Sequence, residues 1–64
     1  MNKLNLEEEL KKGWVIEIDN YQISYYDNLF VLEKLEYTEN DKNFYSVVDA
    51  YETLVEAIYN IQAT

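Results

Sequence analysis

Residues 14–26, WVIEIDNYQISYY, decide the fold of this chain, because apolar residues occupy every second position on both sides of Asp19-Asn20. That alternation predicts two half-buried strands. Asp and Asn tolerate positive φ, so the pair predicts a two-residue hairpin turn. We expect one face of this hairpin to enter the core through six residues: Trp14, Ile16, Ile18, Tyr21, Ile23 and Tyr25.

A third strand is predicted over residues 29–37, after a second turn at Asp27-Asn28. Its apolar residues change phase near Leu32 and Glu33, which we interpret as a β-bulge. Three consecutive strands joined by two-residue turns form an antiparallel meander, and such a sheet can leave one face in contact with water.

The segments before and after the strands are predicted to be helical. Residues 4–12 form a short helix that Asn5 caps and Gly13 ends. A long helix is expected to start at Ser46, after a polar loop at 38–43 and a short extended piece at 44–45, with Asp49 at the capping-box position. Its apolar stripe has spacings of four, three, four and three: Val47, Tyr51, Leu54, Ile58 and Ile61.

The predicted order is therefore α-β-β-β-α within one domain, residues 1–64. We expect a two-layer α+β fold, in which a three-stranded antiparallel meander packs against the long C-terminal helix. The short N-terminal helix would lie at one end of the helical layer or against an edge of the sheet. A chain of this length buries only about 60% of its extendable surface, so its stability margin is small.

The charge of the chain restricts its partners. Thirteen Asp and Glu oppose five Lys and no Arg or His, giving a net charge of −8 in 64 residues. Such a field favours cationic partners and disfavours nucleic acid and anionic membranes. No apolar run approaches the roughly 20 residues that span a bilayer, and the N-terminus is acidic rather than a targeting signal. With no Cys, these features favour a cytoplasmic protein.

Catalysis and metal binding are not expected. The chain has no His, Cys or Arg and only one Gly, so it lacks a phosphate loop, a thiolate or imidazole ligand and a nucleophile–base pair. Asp19-Asn20 and Asp27-Asn28 carry oxygen ligands, but neither has the spaced series of a calcium loop. We expect a protein that is not an enzyme and has no cofactor.

The carboxylates are the first candidate binding residues. On the predicted C-terminal helix, Asp49, Glu52 and Glu56 share one side. Spaced carboxylates can imitate the phosphates of duplex DNA and occupy a basic groove, although an acidic exterior can also serve solubility alone. The acidic candidates are Glu17, Asp19, Glu33, Glu36, Glu39, Asp41, Asp49, Glu52 and Glu56.

Tyrosines are the second candidate. Tyr26, Tyr45 and Tyr59 fall off the predicted core positions, and exposed tyrosines among carboxylates are typical of protein–protein hot spots. They could equally complete a small core or a dimer interface.

In general type, the chain resembles the small acidic proteins that bacteriophages and mobile elements encode to inhibit host factors, including anti-CRISPR proteins and DNA mimics. The resemblance is in size, charge and the α-β-β-β-α order, together with the hairpin at 14–26 and the predicted helix start at 46–50. It implies stoichiometric binding to a host protein such as a nuclease or polymerase component. It transfers no functional residue.

The sequence thus predicts a non-catalytic acidic protein that inhibits a larger, nucleic-acid-handling protein by occupying its basic surface, with nucleic-acid mimicry as one form of this. The alternative is a structural or assembly module, or an accessory subunit, that self-associates through its tyrosine-rich surface. Neither hypothesis includes direct binding to nucleic acid or membrane, and both allow a homodimer.

Overall fold

A computed structural model describes residues 5–63, with side chains through residue 61. Its elements are α1 (Leu6–Lys11), β1 (Ile16–Ile18), β2 (Tyr21–Tyr26), β3 (Leu29–Glu39), β4 (Lys42–Tyr51) and α2 (Leu54–Ala63). The strands form one antiparallel sheet in the order β1-β2-β3-β4. The fold is a small α+β fold, with a helix before and a helix after a four-stranded meander.

The predicted three-stranded sheet and long C-terminal helix are therefore wrong. Residues 42–51 form β4 and pair with β3 from Phe30 opposite Tyr51 to Glu39 opposite Lys42. Only 44–45 were expected to be extended, whereas 42–43 were expected in the loop and 46–51 in the helix. The chain reverses at Asn40-Asp41, whose φ angles of 54° and 65° are those of a tight hairpin turn. Helix α2 has only 10 residues.

Helix α2 begins at Leu54 because Thr53, and not Ser46, caps it. The Thr53 hydroxyl accepts a hydrogen bond from the Glu56 amide at 3.2 Å, and it donates one to the Glu56 carboxylate at 3.1 Å. The carboxylate of Glu7 in α1 accepts from the Leu54 amide at 3.2 Å. Both satisfy donors that the first turn of a helix leaves without partners. Ser46 instead lies in β4.

Two register shifts interrupt the β3–β4 pairing. One lies between Leu32 and Glu33, where a bulge was predicted, but the extra residue is Val48 in β4. The second lies between Leu35 and Tyr37 and leaves Glu36 as the extra residue of β3. Because β3 itself has no extra residue between Leu29 and Leu35, its side chains alternate regularly there, and Leu35 lies on the face opposite to Phe30 and Leu32.

The Asn5 cap, the Gly13 helix end and the first two hairpin turns are confirmed. The predicted N-terminal helix begins at Leu4, which lies outside the described residues, and the observed helix is Leu6–Lys11. The Asn5 side chain accepts from the Glu8 amide at 3.3 Å and caps α1, and Gly13 follows the helix with a φ of 108°. Asp19, Asp27 and Asn28 adopt positive φ in the two predicted hairpin turns. Because each turn contains two residues, it fixes the register of its strands.

Both helices pack on the same face of the sheet and enclose one apolar cluster with it. Leu10, Ile23 and Leu32 are essentially inaccessible to solvent at its centre. The full cluster is Leu10, Ile23, Phe30, Leu32, Leu54, Ala57 and Ile61. Trp14 was expected in this core and is not; it precedes β1 and its side chain is 66% exposed. We call this side of the sheet the helix side.

Candidate binding surface

The opposite face of the sheet is covered by no element of the chain between residues 5 and 63. Side chains alternate along a strand, so the neighbours of the buried residues Ile23 and Leu32 point away from the helices. We call this surface the open face. The members that matter for binding are Glu17, Gln22, Tyr26, Leu29, Val31, Glu33, Leu35, Tyr45 and Val47.

On the central strand β3, apolar side chains flank Glu33 on the open face. Val31 and Leu29 lie on the central strand β3, and Leu35 lies farther along it, opposite Tyr45 of β4. These four side chains are half-buried by their neighbours. Tyr26 and Val47 project further, with 74% and 64% of their surfaces exposed. The result is an apolar sheet surface with two protruding side chains that a partner could cover.

Carboxylates cross this surface in one row. Glu17 lies opposite Gln22, Gln22 lies opposite Glu33, and Glu33 lies opposite Val47. The Gln22 side-chain amide donates a hydrogen bond of 2.6 Å to the Glu33 carboxylate. A hydrogen bond to a charged acceptor is among the stronger kinds, so Glu33 is held in one orientation on the sheet.

The positive charges lie elsewhere. Lys3 is outside the described residues, and the other four lysines are at the end of α1 or on the helix side. The ammonium group of Lys11 lies 5.6 Å from the centre of the Tyr25 ring, and Lys12 pairs with Glu9 at 3.4 Å. The register places Lys34 and Lys42 on the helix side as well. In the described chain, the only charges on the open face are therefore negative.

A second acidic group lies on the helix side, near Tyr51. Asp49, Glu52 and Glu56 do not share one helix face as predicted: Asp49 is in β4, Glu52 is in the connection and Glu56 is in the first turn of α2. Burial raises the pKa of Tyr51, and the negative charges of Asp49 and Glu56 raise it further. These two carboxylates thus act on the same phenol.

The remaining acidic candidates are spread over loops and the far half of the β3–β4 hairpin. Glu36 accepts a hydrogen bond from the Ser46 hydroxyl at 2.6 Å, Glu39 ends β3, and Asp41 is in the hairpin turn. Asp19 is in the first turn. None of the nine candidates forms an ion pair with a lysine in the described part of the chain. They cover the molecule instead of forming a single array.

The three candidate tyrosines are also divided between surfaces. Tyr26 and Tyr45 share the open face, whereas Tyr59 is on α2 and is 67% exposed. Sequence reasoning missed Val47, which it assigned to a helix, and Gln22. The position of Gln22 could have been predicted from the sequence, because a two-residue turn at Asp27-Asn28 sets Gln22 opposite Glu33.

Comparison of the chain with protein-family models, curated proteins and solved structures finds no match in any of the three. No helix among the described residues is long and apolar enough to cross a membrane. Over the same residues, no group of three or more acidic side chains is arranged to hold a metal ion. Function must therefore be inferred from the surfaces themselves.

Proposed function

We propose that this chain is a non-catalytic binding protein whose open face occupies a basic surface on a larger protein. One observation carries the proposal: the open face combines protruding apolar groups with carboxylates, and every described lysine lies away from it. The partner surface that fits carries basic groups opposite the Glu17–Glu33 row and apolar groups on either side of them.

The two kinds of residue have different tasks in this proposal. Tyr26 and Val47 supply contact area, because aromatic and apolar anchors inside a polar rim carry most of the energy of protein interfaces. Glu17 and Glu33 select cationic groups of the partner and fix their position along the row that crosses the face. The other carboxylates contribute to the net charge of −8, which accelerates the encounter with a basic partner.

We extend the proposal to the class of partner. Proteins that handle nucleic acid carry basic surfaces that neutralise phosphates, and a bound acidic protein blocks such a surface. The chain would then inhibit its partner stoichiometrically, without cofactor or turnover, in the cytoplasm of a bacterial host cell. Nucleic-acid mimicry is one form of this inhibition, and it requires that DNA compete for the same site.

The second candidate function is a self-associating assembly module. Tyr26 and Tyr45 favour it, because both lie on the open face and could meet those of a second copy. The row of Glu17 and Glu33 disfavours stacking of two open faces, since like charges would then be brought together. The open face is therefore assigned to a basic partner of different sequence.

Affinity capture tests the proposal. The tagged chain is incubated with bacterial lysate and eluted in steps of salt, with and without competing DNA. Two double variants remove the same charge: Glu17→Gln with Glu33→Gln on the open face, and Glu52→Gln with Glu56→Gln away from it. We expect one basic protein that salt and DNA displace and that only the open-face variant fails to retain. Equal retention by both variants, or retention indifferent to salt and DNA, would contradict the proposal.

A further inference from the structure

The two edges of the sheet differ in how they are protected. An edge strand presents unpaired backbone N–H and C=O groups, and proteins guard such edges with short strands and charged side chains. Strand β1 has both features, because it contains three residues and carries Glu17. Strand β4 has 10 residues. The long edge of this sheet is therefore the less guarded one.

Strand β4 is also the neutral edge of a strongly acidic protein. Residues 43–48 contain no charged side chain, and Phe44, Val47 and Val48 are exposed. Aromatic and β-branched residues without charge favour further strand pairing. The charged residues of the strand are Lys42 near one end and Asp49 near the other, and their charges cancel.

We propose that β4 pairs antiparallel with β4 of a second copy of this chain, with Tyr45 at the two-fold axis. This register sets Phe44 opposite Ser46 and Asn43 opposite Val47 of the second copy. In a regular strand, this register would set Lys42 opposite residue 48 of the second copy. Val48 is an extra bulge residue, so Lys42 lies beside Asp49 instead, and both side chains are on the helix side. The two-fold axis produces two equivalent copies of this ion pair in the dimer.

The pairing closes on itself. A symmetric β4–β4 contact uses the long edge of both copies, so only the two β1 edges remain. Each of these is short and acidic, and neither invites another strand. The assembly stops at a dimer with one continuous eight-stranded sheet, in which the two open faces lie side by side and stay uncovered. The dimer does not depend on the proposed inhibition, and it leaves the open face free for a partner.

Sedimentation velocity over micromolar to millimolar concentration, together with a charge swap, tests the pairing. We expect the mass to rise from 7.7 kDa to twice that value. Lys42→Asp and Asp49→Lys should each weaken the dimer by about tenfold, because two ion pairs become two like-charge contacts. The double variant carries both changes and should restore the dimer. Val55→Lys, at a position on α2 that is 75% exposed, is the control and should leave the dimer unchanged.

Hydrogen exchange of the wild-type chain supplies a test that needs no variant. In the dimer, the outward amides within residues 43–47 of β4 gain partners, so their exchange should slow as protein concentration rises. Three results would overturn the proposal: a monomer at every concentration, a folded double variant as weakly paired as the single ones, or concentration-dependent protection confined to other elements.

Discussion

The side-chain amide of Gln22 donates a 2.6 Å hydrogen bond to the carboxylate of Glu33 across two neighbouring strands of the open face. The bond positions the carboxylate before any partner arrives. Ordering a free side chain on binding costs about 0.5–1.5 kcal/mol, and Glu33 avoids part of that cost.

Gln22→Ala should therefore weaken partner binding through the dissociation rate. We expect that rate to rise by about threefold to tenfold, while the association rate at low salt stays the same because the charge is unchanged. Glu33→Gln is the matched variant, and it should slow association instead. Surface plasmon resonance at several salt concentrations separates the two effects; identical kinetics in both variants would show that Gln22 does not position Glu33 for binding.

Tyr26 and Tyr59 make a matched pair, since both are highly exposed tyrosines but on different surfaces. Tyr26→Ser should lower partner affinity by about 2 kcal/mol, as expected for an aromatic anchor. Tyr59→Ser should leave affinity unchanged. Isothermal titration calorimetry gives both values, and the reverse order would move the binding surface to the helix side.

The turn between β3 and β4 can be stabilised by glycine. Asn40 and Asp41 both adopt positive φ, which costs energy for a residue with a Cβ. Asp41→Gly should raise the free energy of unfolding by about 0.5–1 kcal/mol, and Glu39→Gly in the strand should lower it by a similar amount. Urea denaturation measures both. A loss of stability in Asp41→Gly would be incompatible with a tight hairpin turn at this position.

Tyr51 links stability to alkaline pH. Its pKa lies above the usual 10.0, because burial and the charges of Asp49 and Glu56 disfavour the phenolate. The folded state thus keeps a proton that the unfolded state loses, so the stability from this group is complete below pH 10 and falls as pH rises through the folded pKa. Asp49→Asn should lower the pKa of Tyr51 part of the way towards its usual value, since burial is the larger cause.

Ultraviolet titration of tyrosinate measures this shift. Subtracting the titration of Tyr51→Phe isolates Tyr51 from the other six tyrosines. An unchanged Tyr51 pKa in Asp49→Asn would mean that the two groups do not interact.

Salt should act in opposite directions on the two proposed interactions. Screening weakens the attraction between the chain and a basic partner. Two copies with a net charge of −8 each repel one another instead. The Debye length shrinks from about 30 Å at 0.01 M to about 8 Å at 0.15 M. Because the molecule is 41 Å long, the higher ionic strength screens most of the repulsion between charges of the two copies. Added salt should therefore tighten the β4–β4 dimer, and sedimentation at both ionic strengths checks this.

Much of the sheet was predictable because its signals are local. The alternation around Ile16, Ile18 and Ile23 and the Asp-Asn pairs give two hairpins, and the turn length gives the register. The signals for strand β4 are weaker: its turn pair Asn40-Asp41 lies in a polar stretch, residues 38–43, that also fits a loop. Its side chains are mostly exposed, Val48 breaks the alternation, and Val47, Tyr51 and Leu54 happen to have helical spacing. Pairing with β3 across the turn at Asn40-Asp41 decides its conformation.

The candidate site was predictable only as a list of residue types. Charge and exposure single out the carboxylates and tyrosines, but the face on which each lies depends on the register and on both bulges. Glu33 and Asp49 illustrate this dependence. Each is a carboxylate that follows an apolar residue in the sequence, yet Glu33 lies on the open face and Asp49 on the helix side. Correct prediction of β4 and its register would have placed these two carboxylates on different faces.

Binding through the open face can be measured directly by nuclear magnetic resonance, with the isotope-labelled chain titrated with the captured basic protein. The resonances of Glu17, Gln22, Tyr26, Glu33 and Val47 should shift or broaden first, while those of α2 stay in place. Changes confined to α1 and α2, with the open face unaffected, would contradict the proposed binding surface.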